Sequence, residues 1–224
     1  MYTLPKLLGD QYVLTSVLKE RPSHIVFAAT QKDLRREVRV KSLKRECSST
    51  DEVANFLATA KAQSLCRHYS ISSTLELFEA DDTWHLAQER WNGEPLDILA
   101  ANSKRLPPLQ CCSLLREVCH TVAFLDTMRL ASKPFEPDGV YLRADGSFRF
   151  DNPATSGIRT RAMREQTLHE AASWVLRLID TSAEFANRTS SLALRMVQMQ
   201  ASSPLTATNF AEELSLLQYQ MTFR

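Results

Sequence analysis

The sequence predicts an α+β fold, and two observations lead to that prediction. Up to about Arg90 the chain is rich in short segments with apolar residues at alternate positions, which is the period of a half-buried strand. From about Gly93 onward, longer stretches carry apolar residues every three to four positions, which is the period of an amphipathic helix. Strands followed by helices are typical of an α+β architecture. We therefore expect two regions, residues 1–91 and 92–224.

The first region is expected to form an antiparallel sheet with one helix. Apolar residues alternate on the segments around Val26 and Val40. A run of Ser, Thr and Asp at residues 48–51 is a helix start signal, and it leads into a helical stretch from about Glu52 to Arg67. Two further strands are predicted at Thr74–Phe78 and Thr83–Glu89, on either side of a turn at residues 80–82.

The second region is expected to be mostly helical. Its longest predicted helix spans Leu109–Met128, where apolar residues form one stripe. A hairpin turn at residues 144–146 leads into a short strand that ends near Phe150. The remaining predicted helices are Pro95–Leu99, Thr167–Ile179, Leu192–Met199 and Phe210–Leu217, the last with Asn209 as its cap.

Composition limits the classes of function. The chain has 224 residues, of which 44% are hydrophobic and 24% charged, as in an ordinary soluble globular protein. A formal net charge of +1 argues against a general nucleic-acid-binding surface, which needs a strong basic excess. The sequence contains no apolar run of about 20 residues, so we expect no membrane segment.

The five cysteines favour a reducing compartment. They are scattered over predicted helices without a CxxC pair, a pattern more typical of buried thiols than of disulfides or zinc ligands. Cys112 and Cys119 share a helix face, but His120 lies about 100° around the helix from Cys119, so a metal site is disfavoured. We expect a cytoplasmic protein without a bound metal.

Residues 18–29 (LKERPSHIVFAA) and 38–41 (VRVK) resemble the opening of a protein kinase domain with its glycines removed. In kinases a Gly-rich loop closes over the ATP phosphates, and a lysine on the third strand grips the α and β phosphates. Lys41 lies at the position of that lysine. Where the family has glycines this chain has Lys19, Arg21 and His24, and Pro22 removes a backbone donor. The loop is therefore not expected to cradle a nucleotide.

The resemblance continues in order along the chain. Residues 132–142 (SKPFEPDGVYL) lie where kinases have HRDLKPENILL, with Pro134 at the catalytic base and Gly139 at the metal-binding asparagine. Pro134 has no side-chain proton acceptor and Gly139 has no side chain to ligate Mg²⁺. Residues 148–153 (FRFDNP) match the strand and the DFG triad, in which Asp151 is kept. Counting back from His68 places Thr59 where helix C of the family has its glutamate.

This resemblance implies a degenerate kinase-like domain, a pseudokinase. It implies a small β-rich N-lobe at residues 1–91 and a mostly helical C-lobe at 92–224, shortened because few residues follow Asp151. Lys41 and Asp151 are the surviving cofactor-binding positions, and we assign no catalytic residue, no cofactor and no metal. Each of the two is individually more typical of a solvated strand or a turn. Together they predict an ion pair that serves the fold or a partner surface.

Three functions remain open at this stage. The first is a catalytically inactive domain that binds protein partners as a scaffold, with little or no ATP binding. The second is a nucleotide sensor without turnover. The third is an atypical phosphoryl or nucleotidyl transferase that uses Lys41 and Asp151.

Overall fold

The computed structural model describes residues 3–198 and 206–223, and it has an α+β architecture, as the sequence predicts. The strands are β1 Lys6–Leu8, β2 Tyr12–Glu20, β3 His24–Gln31, β4 Arg36–Leu43, β5 Thr74–Ala80, β6 Thr83–Glu89, β7 Glu94–Pro95, β8 Leu130–Ser132, β9 Val140–Leu142, β10 Phe148–Phe150 and β11 Ala154–Ile158. The helices are α1 Thr50–Leu65, α2 Leu96–Ala101, α3 Pro108–Thr127, α4 Arg161–Leu178, α5 Ala186–Val197 and α6 Ala207–Thr222. Short 3-10 helices occupy Arg45–Cys47 and Pro137–Gly139.

The chain divides into two compact units. The first unit holds the described residues up to Arg67 together with Ser72–Trp91. The second unit holds His68–Ile71 and the described residues from Asn92 onward. The short segment His68–Ile71 therefore packs with the second unit, although it lies between α1 and β5 in the sequence.

The first unit is a curled antiparallel sheet with the strand order β1-β2-β3-β4-β6-β5. The β2–β3 register shifts between Leu14 and Ser16 and again between Val17 and Lys19, and such bulges increase the local bend and twist of a strand. The turn between β5 and β6 is tight, because Asp81 and Asp82 both have positive φ angles, of 51° and 59°.

The two faces of this sheet bury different cores. On one face, Leu43 and Leu86 pack against Phe56 and Ala60 of α1. Side chains alternate along a strand, so the neighbouring residues of β4 point to the opposite face. That second core is made by Leu8, Tyr12, Leu14, Ile25, Phe27, Ala29, Val38, Val40 and Ala87.

The second unit is built around α3, which packs against α4, α5 and α6. The apolar stripe of α3 is buried, with Leu115 and Val122 both 0% exposed. Three short strands, in the order β10-β9-β7, lie beside these helices, and β11 pairs with β8. Gly93 immediately precedes β7, where a Cβ atom would lie 2.8 Å from the Leu142 carbonyl oxygen, so this close approach requires glycine.

Several boundaries differ from those predicted. α4 begins at Arg161, six positions before the predicted Thr167, because Thr160 caps it by accepting a bond from the Met163 amide. The cap of α6 is Thr206, and Asn209 is its third residue, joined to Thr206 in a capping box. The helix predicted at Leu192–Met199 is part of α5, and Met199 lies outside the described residues. The sequence does not predict strands β1, β7, β8 and β11.

Among the described residues, no helix combines the length and apolar character that a membrane crossing requires.

Candidate functional site

Lys41 lies in the middle of β4, between β3 and β6. Its Cα partners are Val26 on β3 and Leu86 on β6. The half-buried side chain reaches towards α1, where its Nζ atom lies 5.8 Å from the centroid of the Phe56 ring. A cation at this distance from an aromatic face is attracted by the negative charge of the ring face. The α1 side chain that contacts Lys41 is therefore Phe56. It lies one turn before Thr59, the position that the sequence analysis matched to the glutamate of kinase helix C.

The turn between β2 and β3, which the sequence analysis matched to the kinase phosphate loop, is closed by its own hydrogen bond. The Arg21 amide donates to the His24 carbonyl at 2.9 Å, and Pro22 has no amide hydrogen. The tip is also tied to the residues that follow β4, because the Lys44 amide donates to the Ser23 carbonyl at 3.0 Å. Across the same hairpin, Lys44 Nζ forms an ion pair with Glu20 at 2.7 Å. The Arg21 amide is therefore engaged within the hairpin, and the Ser23 carbonyl at its tip is engaged by Lys44.

Asp151 and Gly139, two positions matched to metal ligands of kinases, lie side by side. The Asp151 amide donates to the Gly139 carbonyl at 2.7 Å. A Cβ atom at Gly139 would lie 3.2 Å from both Cβ and Oδ2 of Asp151, a spacing that leaves little room for a side chain. Gly139 offers no side-chain ligand atom. This pair of positions therefore does not fit the two-ligand metal site that the kinase resemblance would otherwise imply.

The segment that follows Asp151 is tied down by hydrogen bonds. The side-chain oxygen of Asn152 accepts a bond from the Ala154 amide at 3.2 Å, and the Pro153 carbonyl accepts one from the Lys133 amide at 2.9 Å. β11 then pairs with β8, with Ala154 opposite Ser132. Beyond β11, Arg159 is hydrogen-bonded to Asp126 at the end of α3 and to Ser132 of β8. The segment is thus held as an ordered strand.

The position matched to the catalytic base is part of an apolar contact. Pro134 is half-buried and precedes Phe135, whose ring stacks on Phe150 with a centroid distance of 4.5 Å. Phe150 is fully buried, and its amide donates to the Ser70 carbonyl at 2.7 Å. Pro134 therefore lies beside an apolar contact, and its own side chain carries no proton acceptor.

Glu117 on α3 was missed by sequence reasoning. It is buried, and its Oε2 accepts bonds from Tyr69 at 2.5 Å and from Ser70 at 2.7 Å, while Arg116 lies 3.4 Å away. Burial raises the pKa of this carboxyl, but the two hydrogen bonds and the Arg116 charge outweigh burial and hold the pKa below its usual value. Through Ser70, this carboxylate supports the segment to which Phe150 is bonded.

The cysteines do not form a reactive or metal-binding group. Within residues 3–198 and 206–223, no cluster of three or more His, Cys, Asp or Glu side chains is arranged to hold a metal ion. Burial raises the pKa of Cys66, Cys111 and Cys119 to about 12, so these thiols stay protonated at neutral pH.

Comparison with known proteins identifies no family for this chain. The sequence matches no protein-family model, and no curated protein is similar enough to it to establish a relationship.

Proposed function

We propose that this protein is a pseudokinase: a two-lobe kinase-like domain that transfers no phosphate, binds little or no ATP, and acts as a scaffold for protein partners. The observation that carries the proposal is the contact between Gly139 and Asp151. Two positions that the resemblance matched separately, from different motifs, meet in the fold. At this contact Gly139 has no side chain, so one of the two metal-ligand side chains of the kinase pattern is missing.

Three further features support the proposal that this protein transfers no phosphate. The hairpin matched to the phosphate loop uses the Arg21 amide for its own turn, and Pro22 has no amide hydrogen. The base position is Pro134, which carries no acceptor on its side chain. The segment after Asp151, which in kinases swings at Phe and Gly, is Asn152-Pro153 here and leads into a paired strand. A protein partner is the class that the resemblance to degenerate kinase domains implies.

The test is a thermal-shift titration with ATP, run without metal, with Mg²⁺ and with Mn²⁺, alongside an assay of phosphoryl transfer. A ligand at 100 times its dissociation constant adds about 2.7 kcal/mol to the free energy of unfolding, which a thermal melt resolves easily. We expect no shift at millimolar ATP and no transfer. Lys41→Ala and Asp151→Asn are compared with Lys61→Ala, an exposed lysine on α1.

A metal-dependent shift that both site variants abolish and Lys61→Ala retains would overturn the proposal. Such a shift without transfer would establish the nucleotide sensor, and a shift with transfer would establish the transferase.

A further inference from the structure

The first unit contains a cavity on the sheet face opposite α1. Its volume is about 320 Å³, which is in the range of small-molecule sites. One side of the cavity is apolar. Leu8, Leu14, Ile25 and Phe27 line it, and each of them is at most 4% exposed. This wall suits the apolar body of a ligand.

The other side of the cavity is polar and already organised. Nε2 of His85 lies 3.0 Å from the Ala80 carbonyl, and Nδ1 lies 2.8 Å from Ser42 Oγ. A carbonyl oxygen only accepts, so Nε2 donates to it. The ring also stacks on Phe78. The two hydrogen bonds and the Phe78 contact fix the ring, and burial lowers the pKa of His85, which favours its neutral form.

Arg45 is the lining cation that keeps donors for a ligand, because Lys44 is paired with Glu20 and Lys6 with Asp81. The charged lining residues are Lys6, Lys44, Arg45, Glu46 and Asp81. The acid nearest to these cations is already engaged, because Asp81 binds Lys6 through its carboxylate and Arg45 through its carbonyl, at 2.7 Å. A guanidinium carries five N–H donors, so Arg45 keeps donors beyond the bond to Asp81. A planar carboxylate matches the geometry of a guanidinium, because it accepts two parallel N–H bonds.

We propose that this cavity binds a small carboxylic acid with an apolar tail. The tail lies against Leu14, Ile25 and Phe27, and the carboxylate meets Arg45 at the rim. This site belongs to the first unit alone and does not rest on the pseudokinase proposal.

The experiment uses octanoate as the probe and isothermal titration calorimetry of the full chain as the readout. Octanol and octylammonium carry the same tail with a neutral and a cationic head. We expect saturable binding of one octanoate per chain with a dissociation constant below about 1 mM, and binding at least about fivefold weaker for the other two probes. Absence of saturable binding overturns the proposal. Equal or tighter binding of octanol or octylammonium overturns the assignment of an anionic head.

Three variants locate the site. Arg45→Gln removes the rim charge and is expected to weaken octanoate binding about five- to tenfold without changing octanol binding. Arg67→Gln removes an exposed charge at the end of α1, away from the lining residues, and is expected to change neither. Leu14→Trp fills the apolar side and is expected to abolish binding of both probes.

Circular dichroism melts establish which variants fold. If Leu14→Trp does not fold, the comparison of Arg45→Gln with Arg67→Gln still shows whether octanoate binds at this cavity, because both substitutions are at the surface. Equal octanoate affinity in these two variants, or unchanged affinity in a folded Leu14→Trp, contradicts the site.

Discussion

Lys41 and Asp151 are held in different ways. Lys41 sits in a long strand with paired neighbours on both sides, and its side chain rests on one aromatic ring. Asp151 follows a three-residue strand, and its amide donates to the Gly139 carbonyl, while the Phe150 amide donates to the Ser70 carbonyl. Regular sheet structure tolerates the loss of one contact better than such a junction does. The Asp151 region is therefore where single substitutions should have the largest effects.

The largest effect is expected for Phe150→Ala. The Phe150 ring is fully buried against Phe135, and its loss leaves a cavity beside Asp151, so we expect the free energy of unfolding to fall by about 3–5 kcal/mol. The matched change near Lys41 is Phe56→Ala, whose ring is 8% exposed and which should cost less. Chemical denaturation of the two variants measures the difference. A larger loss of unfolding free energy for Phe56→Ala than for Phe150→Ala would contradict the expectation that the Asp151 region is the more sensitive of the two.

Glu117→Gln is expected to have the next largest effect. At neutral pH it removes the charge that accepts bonds from Tyr69 and Ser70, and we expect a loss of about 1–3 kcal/mol. The native pKa of Glu117 is lowered, so its contribution is complete above the ordinary value of 4.5 and is lost as pH falls through the native pKa. When denaturation is measured as a function of pH, the free energy of unfolding should fall less steeply towards acid pH in the variant than in the wild type. Parallel wild-type and variant profiles would contradict this assignment.

Most long elements could be predicted from the sequence because their burial repeats with a regular period. α1 and α3 show such a period, and their observed bounds lie close to those expected. β1 and β11 have no such signal. β11 is largely exposed beyond Ala154, and it exists because β8 offers it a partner, which only the folded chain reveals.

The candidate site was predictable in part. Lys41 and Asp151 were found through the order of motifs, but the Phe56 contact depends on how α1 is rotated against the sheet, and counting residues pointed to Thr59 instead. Glu117 carried a signal that was overlooked: with Arg116 it is the only charged pair in residues 111–119, the middle of an otherwise mainly apolar helix. A charge in such a place needs partners, and these came from a segment distant in sequence.

Gly139→Ala tests how tightly the Asp151 site is closed. The added methyl would lie 3.2 Å from Asp151 Cβ and Oδ2, so we expect a loss of about 1–2 kcal/mol from overpacking. Combining it with Asp151→Ala removes the Oδ2 contact and should make the two losses less than additive. Strict additivity in a denaturation cycle would mean that the two residues do not constrain each other.

The smallest effect is expected for Lys41→Met, which keeps the apolar stem and removes the charge. Loss of the interaction with the Phe56 ring should cost about 0.5–1 kcal/mol. Lys61→Met on the exposed side of α1 is the control and should change stability by less than this. A loss well above about 1 kcal/mol would mean that the aromatic contact is not the main interaction of Lys41.

The central claim is that the residues matched to kinase catalytic motifs are held in one conformation by the fold. Hydrogen–deuterium exchange of peptides covering Asp151–Ile158 tests it most directly, with and without ATP and Mg²⁺. The Asp151 and Ala154 amides are hydrogen-bonded to Gly139 and Asn152, so we predict slow exchange that is the same in both conditions. Fast exchange without ligand that becomes slow when ATP and Mg²⁺ are added would contradict the account, because it would reveal a mobile segment ordered by nucleotide.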